Sequence, residues 1–567
     1  MTRHRRFALA GALGIVRPQA ATGTIVGRVL DASDLPVAAA SVTALRMETG
    51  ARRRTVSGSR GEFVAADLPV GLYRVTVSHP GFRTAVREGI RLEVDEKARV
   101  DVVLEVGPIE AVVTVSGDAP LGQGPSAALG TLIESSYVRD LPLNGRDFLQ
   151  LGLLSPGSGP PAPGSELSTQ SASGLHFNGA RESANNFLLD GADNNDWFIN
   201  RIVVSPSVDF IQEFKVQSSG YSAEFGRNGG SQVLVVTRGG GNQLRGTAFE
   251  FLRNRRLDAR NFFDPTDRPI PQLQRNQFGL FLGGPIRADR TFFAASYEGT
   301  RLRQAVTRAA RVPTVEEKLG DFSSQARALV DPLTGQPFPE NRLPANRIDR
   351  IGAALARLYP DPNRGDPQAN FVSSPVGRTG ADQFSLRADH ELSASDSLLA
   401  RYTWAREDTL EPFNEGVTNL PGFGSLIVGR GQNVVLGETH VFSATLLNDF
   451  RFGFNRLRRE VLQENIATDL ASTLGIPGLS RDPADFGMPA VIVSGFDRLS
   501  DNTAFPIVRH DNTYHWVDSL VAVRGPHTFK LGGEIRKFQV NGFNHVFARG
   551  QLSFQPTYTG FALGDLL

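Results

Sequence analysis

From about residue 244 onward, apolar and polar positions alternate one by one over long stretches. Phe450, Phe452 and Phe454 are interleaved with Arg451, Gly453 and Asn455, and Leu398, Ala400, Tyr402 and Trp404 with Arg401 and Thr403. Phe384 and Leu386 alternate with Gln383, Ser385 and Arg387, and Phe529, Leu531 and Ile535 with Thr528, Lys530, Glu534 and Arg536. Period two sends successive side chains to opposite faces of a strand, so each segment predicts a strand with one apolar and one charged face. Such strands fit either a half-buried soluble sheet or a barrel with lipid outside and water inside. The connections separate the two. Pro285 to Arg290, Ser393 to Asp396, Ser443 to Thr445 and Arg524 to Pro526 are tight turns. Long excursions lie between them, from Arg301 to about Gly380, from Glu407 to about Arg430 and from Glu460 to about Arg509. Short turns on one side and long loops on the other mark a transmembrane antiparallel β-barrel. A compact soluble domain should not need structureless loops of that length.

The front of the chain has a different grain. Residues 23–106 carry short strands separated by Gly, Pro and Asp turns: Thr24 to Val29, Ser41 to Leu45, and the alternating Tyr73 to Val77. This predicts a β-sandwich. Between 107 and 243 the pattern is mixed and predicts an α+β unit. Val138 to Phe148 reads as a turn and short helix, and 156–174 as a Pro, Gly and Ser-rich loop. Phe187-Leu188-Leu189 reads as an apolar strand closed by an Asp190-Gly191 turn. Ile211, Phe214 and Val216 form a further element, and Gly229-Gly230 precedes a strand from Gln232 to Thr237.

Composition narrows the function. The 567 residues exceed one ordinary domain. The net charge is +1 and Arg is spread along the chain, so nothing points to nucleic acid. Cysteine is absent, which excludes disulfides, Cys-ligated zinc and thiol catalysis and is compatible with an oxidising periplasm. No apolar run reaches the roughly 18 residues of a spanning helix. Residues 1–21 have the layout of a signal peptide: Arg3, Arg5 and Arg6, an apolar run from Phe7 to Val16, then Ala20 and Ala21.

The stretch from Phe177 to Thr237 resembles the plug domain of TonB-dependent outer-membrane receptors. The resemblance rests on the LLDG turn at Asp190 and Gly191, the Ile211, Phe214 and Val216 strand, the Ser222 to Gly226 segment, and Gly229-Gly230 with its strand. The string from Leu141 to Phe148, LPLNGRDF, is similar to a subgroup with an Oar-like barrel. Residues 23–106 resemble the carboxypeptidase regulatory-like domain, classed with carbohydrate-binding-like folds, through Gly27, Asp31, Pro36, Gly61, Phe63, Pro69, Gly71, Tyr73, Gly81 and Phe82. That domain is a non-catalytic appendage, and no zinc-binding H-x-x-E or H-E-x-x-H occurs in the chain. Glu110, Ala111, Val112, Val113, Thr114 and Val115, within 109–116, resemble a TonB box. An extended β-branched segment suits pairing with a sheet edge, although any linker strand rich in Val and Thr reads the same way.

The resemblance implies a receptor that takes up a scarce or large ligand across the outer membrane of a Gram-negative bacterium. Its partners would be the TonB inner-membrane energy-coupling complex, outer-membrane lipid and an extracellular ligand: a siderophore, an oligosaccharide or a peptide. It implies plug residues Asp190, Gly191, Gly226, Gly229 and Gly230, with Gly-rich segments such as Gly239 to Gly241 as bending points. It also implies a longer chain. Barrels of this family close with about 22 strands, and about ten are legible here, with no terminal aromatic strand after Phe561. An adhesion or carbohydrate-binding protein that uses the sandwich is the alternative. Enzymatic, cofactor and metal chemistry find no support in the sequence. Asp190, Asp193 and Asp196 do not have calcium-loop spacing and read as turn residues. There is no G-x-S-x-G nucleophile elbow, and Gly239 to Gly241 lack the Lys-Ser/Thr of a phosphate loop.

Overall fold

The computed structural model describes residues 22–108, 112–116, 128–162, 174–260, 269–414, 416–524 and 527–567. Residues 1–21, expected to be a signal peptide, lie outside them together with Glu110 and Ala111. Within the described residues the chain forms three successive units.

The first is a sandwich. One sheet holds β1 (Thr22–Asp31), β4 (Glu62–Pro69), β7 (Lys97–Arg99) and β8 (Val102–Leu104). The other runs in the order β3 (Arg52–Val56), β2 (Ser41–Arg46), β5 (Gly71–Ser78), β6 (Thr84–Leu92), β9 (Val112–Ser116). Alternation sets the packing: Tyr73, Val75 and Val77 of β5 meet Ile25, Val29 and Phe63 in a shared apolar core. The Tyr73 hydroxyl, buried at the rim of that core, donates to the Pro69 carbonyl at 2.7 Å.

The second unit is a five-stranded sheet. Its order is β10 (Leu129–Glu134), β15 (Ile211–Ser219), β16 (Gln232–Thr237), β13 (Asn186–Leu189), β14 (Ala192–Asp193). A small ribbon of β11 (Ser158–Gly159) and β12 (His176–Phe177) flanks it. β16 is buried on both faces, which explains why Val233 to Val236 read as a continuous apolar run. Phe148, Phe187, Ile211 and Phe214 fill the adjoining core.

The third unit is a nine-stranded antiparallel sheet in strict chain order. It comprises β17 (Arg245–Asn254), β18 (Leu273–Arg287) and β19 (Thr291–Ala305). After a ribbon of β20 (Arg308–Ala310) and β21 (Phe371–Ser373) come β22 (Val376–Glu391), β23 (Asp396–Glu411), β24 (Ser425–Ser443) and β25 (Leu446–Gln463). β27 (Ile507–Arg524) and β28 (His527–Asn544) complete it, with a parallel pair β26 (Ala490–Val493) and β29 (Gln551–Phe554) set apart from it. Arg387, Arg401, Arg451, Asn433, Asn455 and His515 are buried on the face turned to the second unit. Leu386, Leu531 and Ile535, one register step away, are exposed, and Phe384 stacks on Trp404 on that same outer face. Exposed apolar side chains outside and charged ones inside are the signature of a lipid-facing barrel wall. The second unit sits in the bore as a plug.

Two expectations need correction. The long excursions are shorter than the sequence suggests, because the strands run further, and they are not structureless. Residues 306–375, 412–424 and 464–506 share an apolar core with the last residues of the chain. Phe322, Leu329, Leu355, Met488, Val491 and Leu563 are its buried members. The other correction concerns Gly239 to Gly241, which has no left-handed φ and does not act as a bend. A Cβ on Gly240 would lie 2.4 Å from the Phe293 carbonyl oxygen and 2.7 Å from that of Gly284. Glycine is required there because the chain presses against the wall as it passes from plug to barrel.

Candidate functional site: the plug against the barrel wall

β13 and β14 form a hairpin whose two turn residues, Asp190 and Gly191, have φ of 50° and 79°. Two left-handed residues in succession match a primed hairpin turn, which Asp-Gly supplies at low cost. The turn thrusts Asp190 at the wall. Its carboxylate lies 2.6 Å from Arg401 Nε and 3.5 Å from Arg387 Nη1. It also accepts the Thr237 backbone N–H and hydroxyl, both at 2.8 Å, which ties the turn to β16. The Asp190 carbonyl in turn accepts from Arg451 Nη1 at 2.7 Å. Arg387 and Arg451 each keep a second carboxylate on their own strand, Asp389 at 2.8 Å and Asp449 at 2.9 Å. Arg401 instead bonds the Asn433 side chain at 2.5 Å.

A second set of contacts lies one strand pair further round. Asp193 meets Arg536 at 3.1 Å, and Arg536 meets Glu534 at 3.0 Å. The Asp193 N–H donates to His515 Nδ1 at 3.3 Å, leaving Nε2 to face Glu534 at 3.0 Å. That pattern assigns the proton of His515 to Nε2. Asn433 and Asn455 donate to the Asp193 and Asn195 carbonyls, each at 3.0 Å. Near β18 and β19, Arg146 of the LPLNGRDF string pairs with Asp209 at 2.5 Å within the plug and with Glu298 of the wall at 3.3 Å. Above these contacts, on the side of the long loops, a cavity of about 450 Å³ is lined by Arg146, Arg201, Arg275, Glu298, Glu407 and Leu457.

The sequence-derived residues separate clearly. Asp190 and Gly191 stand at the centre of the interface. Gly230 allows a close approach, since a Cβ there would sit 2.6 Å from the Ala184 carbonyl oxygen, whereas Gly226 and Gly229 have nothing within 4 Å of that position. Val112 to Val115 belong to β9, paired in parallel with β6. Asp193 and Asp196 are engaged by Arg536, Arg201 and backbone N–H groups, and no cluster that could hold a metal ion occurs among the described residues. Sequence reasoning put Arg387, Arg401, Arg451 and Arg536 on one face of their strands but did not pair them with the plug. The repeated inward arginine was the available signal.

Residues 236–567 match the family model described as outer membrane beta barrel domain. The chain belongs to that family. Residues 24–105 match the carboxypeptidase regulatory-like domain. Among curated proteins, the TonB-dependent transporter Oar from Myxococcus xanthus is 26% identical over 313 residues, covering 53% of this chain and 29% of the relative. The chain thus spans less than a third of that relative's length. Among solved structures, the outer membrane transporter YddB from Escherichia coli is similar with a TM-score of 0.46 and 11% identity, covering 73% of this chain and 48% of that one. The ferric enterobactin receptor PfeA from Pseudomonas aeruginosa gives a TM-score of 0.41 and 11% identity, with 73% and 50% covered. As an outer-membrane barrel protein of this kind, the chain resides in the outer membrane of a Gram-negative cell.

Proposed function

We propose that this chain is the plug-bearing portion of a TonB-dependent transporter, a non-enzymatic carrier that admits a ligand when its plug is displaced. One observation carries the reading: Asp190 of the plug is held by Arg401 of the wall through an ion pair in a polar interface. Alongside apolar contacts such as Phe210 against Phe281 and Ala294 and Trp197 stacked on Phe538, the charges and amides of this interface can be taken up by water on both faces when the plug leaves its bore. The cavity of mixed charge above the plug, with Arg275 and Glu407 in its lining, is the reception site for a ligand rich in polar groups. The segment from Glu110 to Val115 is the contact for the energy-coupling partner. Siderophores, oligosaccharides and peptides are the ligand classes to be screened.

The test has two parts. A peptide spanning residues 108–118 is titrated with the periplasmic domain of TonB, and binding is expected only with an unbroken β-branched run. Uptake of a panel of ferric siderophores, oligosaccharides and peptides is then measured with and without a proton gradient. Uptake that persists after the gradient is collapsed would sink the reading.

A further inference from the structure

The sandwich has a job that its family resemblance does not supply. It touches both other units on the side of the short turns. Toward the plug, the turn that follows β6 inserts Val94 into an apolar cluster with Leu188, Phe225, Leu234 and Val236. The Val94 N–H donates to the Glu213 carboxylate at 2.6 Å, and Lys215 Nζ donates to the Val94 carbonyl at 3.0 Å. Gln217 donates to the Asp95 carboxylate at 2.5 Å, and Arg91 pairs with Glu134 at 2.5 Å. Glu213, Lys215 and Gln217 all lie on β15, and Glu134 on its neighbour β10, so the turn together with Arg91 at the end of β6 grips two strands of the plug.

Toward the barrel the contacts are lighter and of a different kind. The Thr55 hydroxyl donates to the Ala444 carbonyl at 3.1 Å, in the turn between β24 and β25. Gly50 sits beside Asp289 in the turn between β18 and β19, where a Cβ would come within 2.5 Å of its carboxylate. Leu68, Pro69 and Tyr73 face the turn at 394–397 across a narrow gap. The sandwich therefore lies across three of the short turns, beneath the plug and over the mouth through which the plug must leave. β9 matters as well. It pairs with β6 from Thr84 against Val112 to Glu88 against Ser116, and β6 runs directly into the gripping turn. A pull on β9 is therefore felt by the sandwich.

We propose that the sandwich is a latch over the periplasmic mouth that moves with the plug: the two leave the barrel as one body, parting at the rim near Thr55 and Ala444 and not at the turn of residues 93–96. The inference rests on the transporter reading for its purpose, but its physical content does not depend on the ligand or on TonB. At the rim Thr55 is itself buried, the Asn242 N–H donates to the Glu48 carbonyl at 2.8 Å, and Arg46 and Arg53 line the same gap as Glu391. An apolar side chain inserted into the plug and backed by several charge-assisted bonds resists separation more than these scattered contacts.

The native chain has no cysteine, so introduced pairs are unambiguous. Two double variants of the full chain are reconstituted in a bilayer and closed with a short thiol bridge: Thr55→Cys with Ala444→Cys at the rim, and Asp95→Cys with Gln217→Cys at the plug. Plug release in rising urea is followed by hydrogen exchange of peptides covering 186–193 and 211–219. The rim bridge is expected to raise the urea midpoint of plug release, with reversal on reduction, while the plug bridge leaves it unchanged. In the unbridged chain, exchange at 444–446 should rise together with that at 186–193 while 93–96 stays protected. Lys215→Ala with Gln217→Ala should uncouple the two events. Early loss of protection at 93–96, or a plug bridge that raises the midpoint as much as the rim bridge, overturns the proposal. Neither result bears on whether the protein transports, which the gradient experiment decides separately.

Discussion

Arg401 Nε lies 2.6 Å from Asp190 Oδ2, and neither side chain has appreciable contact with water. Arg387 and Arg451 have carboxylates of their own on the wall, but the carboxylate paired with Arg401 belongs to the plug. Substituting Asp190→Ala should therefore strand a buried guanidinium and weaken plug seating by about 3–5 kcal/mol. Arg401→Met alone should be similarly harmful, and the double variant should be milder than the sum. The measurement is the urea dependence of exchange at 186–193; simple additivity would show that the pair is not coupled.

The grip between sandwich and plug should depend on pH. Burial pushes the Glu213 carboxyl up to about 7, with Glu93 adding to the rise while the Val94 N–H, Lys215 and Arg91 oppose it. Burial also raises Glu93 and Glu96, the other acids of this contact. A raised acid holds its proton in the docked form and gives it up when free. The contribution is thus full below the ordinary value of 4.5 and falls away as pH rises through about 7. The protection factor of the Val94 amide, its exchange rate corrected for the intrinsic base catalysis, should be higher at pH 5 than at pH 8, and Glu213→Gln should flatten most of that dependence.

Two glycines of the plug region should respond in opposite ways. Gly240→Ala drives a methyl into the Phe293 and Gly284 carbonyls and should lower the yield of assembled protein in the outer membrane sharply. Gly229→Ala meets nothing within 4 Å and should assemble normally. Heat-modifiable migration on gels reads both; equal yields would refute the packing argument for Gly240.

The loop cap should melt on its own. Phe322 is buried and stacks on Phe561 at a centroid distance of 4.9 Å. Phe322→Ala should cost about 3–5 kcal/mol locally. Limited proteolysis is expected to cut within 306–375 while the exchange protection of β24 and β25 is kept. Simultaneous loss of strand protection would mean that cap and wall unfold together.

Much of this architecture is written in periodicity. Phe452 and Arg451 declare opposite faces of β25 because adjacent residues of a strand must diverge, and the wall follows from that rule alone. Gln232 to Thr237 reads correctly as a strand because a segment buried on both sides needs no polar alternation. The cap was hidden for the opposite reason. Phe322, Met488 and Leu563 come from distant segments, and no local period announces that they meet. The site was half legible: Asp-Gly after an apolar run signals a primed turn, yet nothing local says that Asp190 faces Arg401, a contact 211 positions away in the chain. Gly239 to Gly241 misled because composition does not distinguish a glycine needed for freedom from one needed for room.

The uneven sharing of counter-ions across the bore has a mechanical meaning. When the plug withdraws, Arg387, Arg451 and Arg536 keep Asp389, Asp449 and Glu534 beside them on the wall. Among the described residues of the wall, Arg401 keeps the Asn433 amide and the Thr403 hydroxyl. Departure thus leaves one guanidinium short of a negative partner at the height where Asp190 had been. That vacancy attracts the same carboxylate back. On the proposed transport reading, opening would require work whereas reseating would run downhill, and the gate would reset once the pull stops.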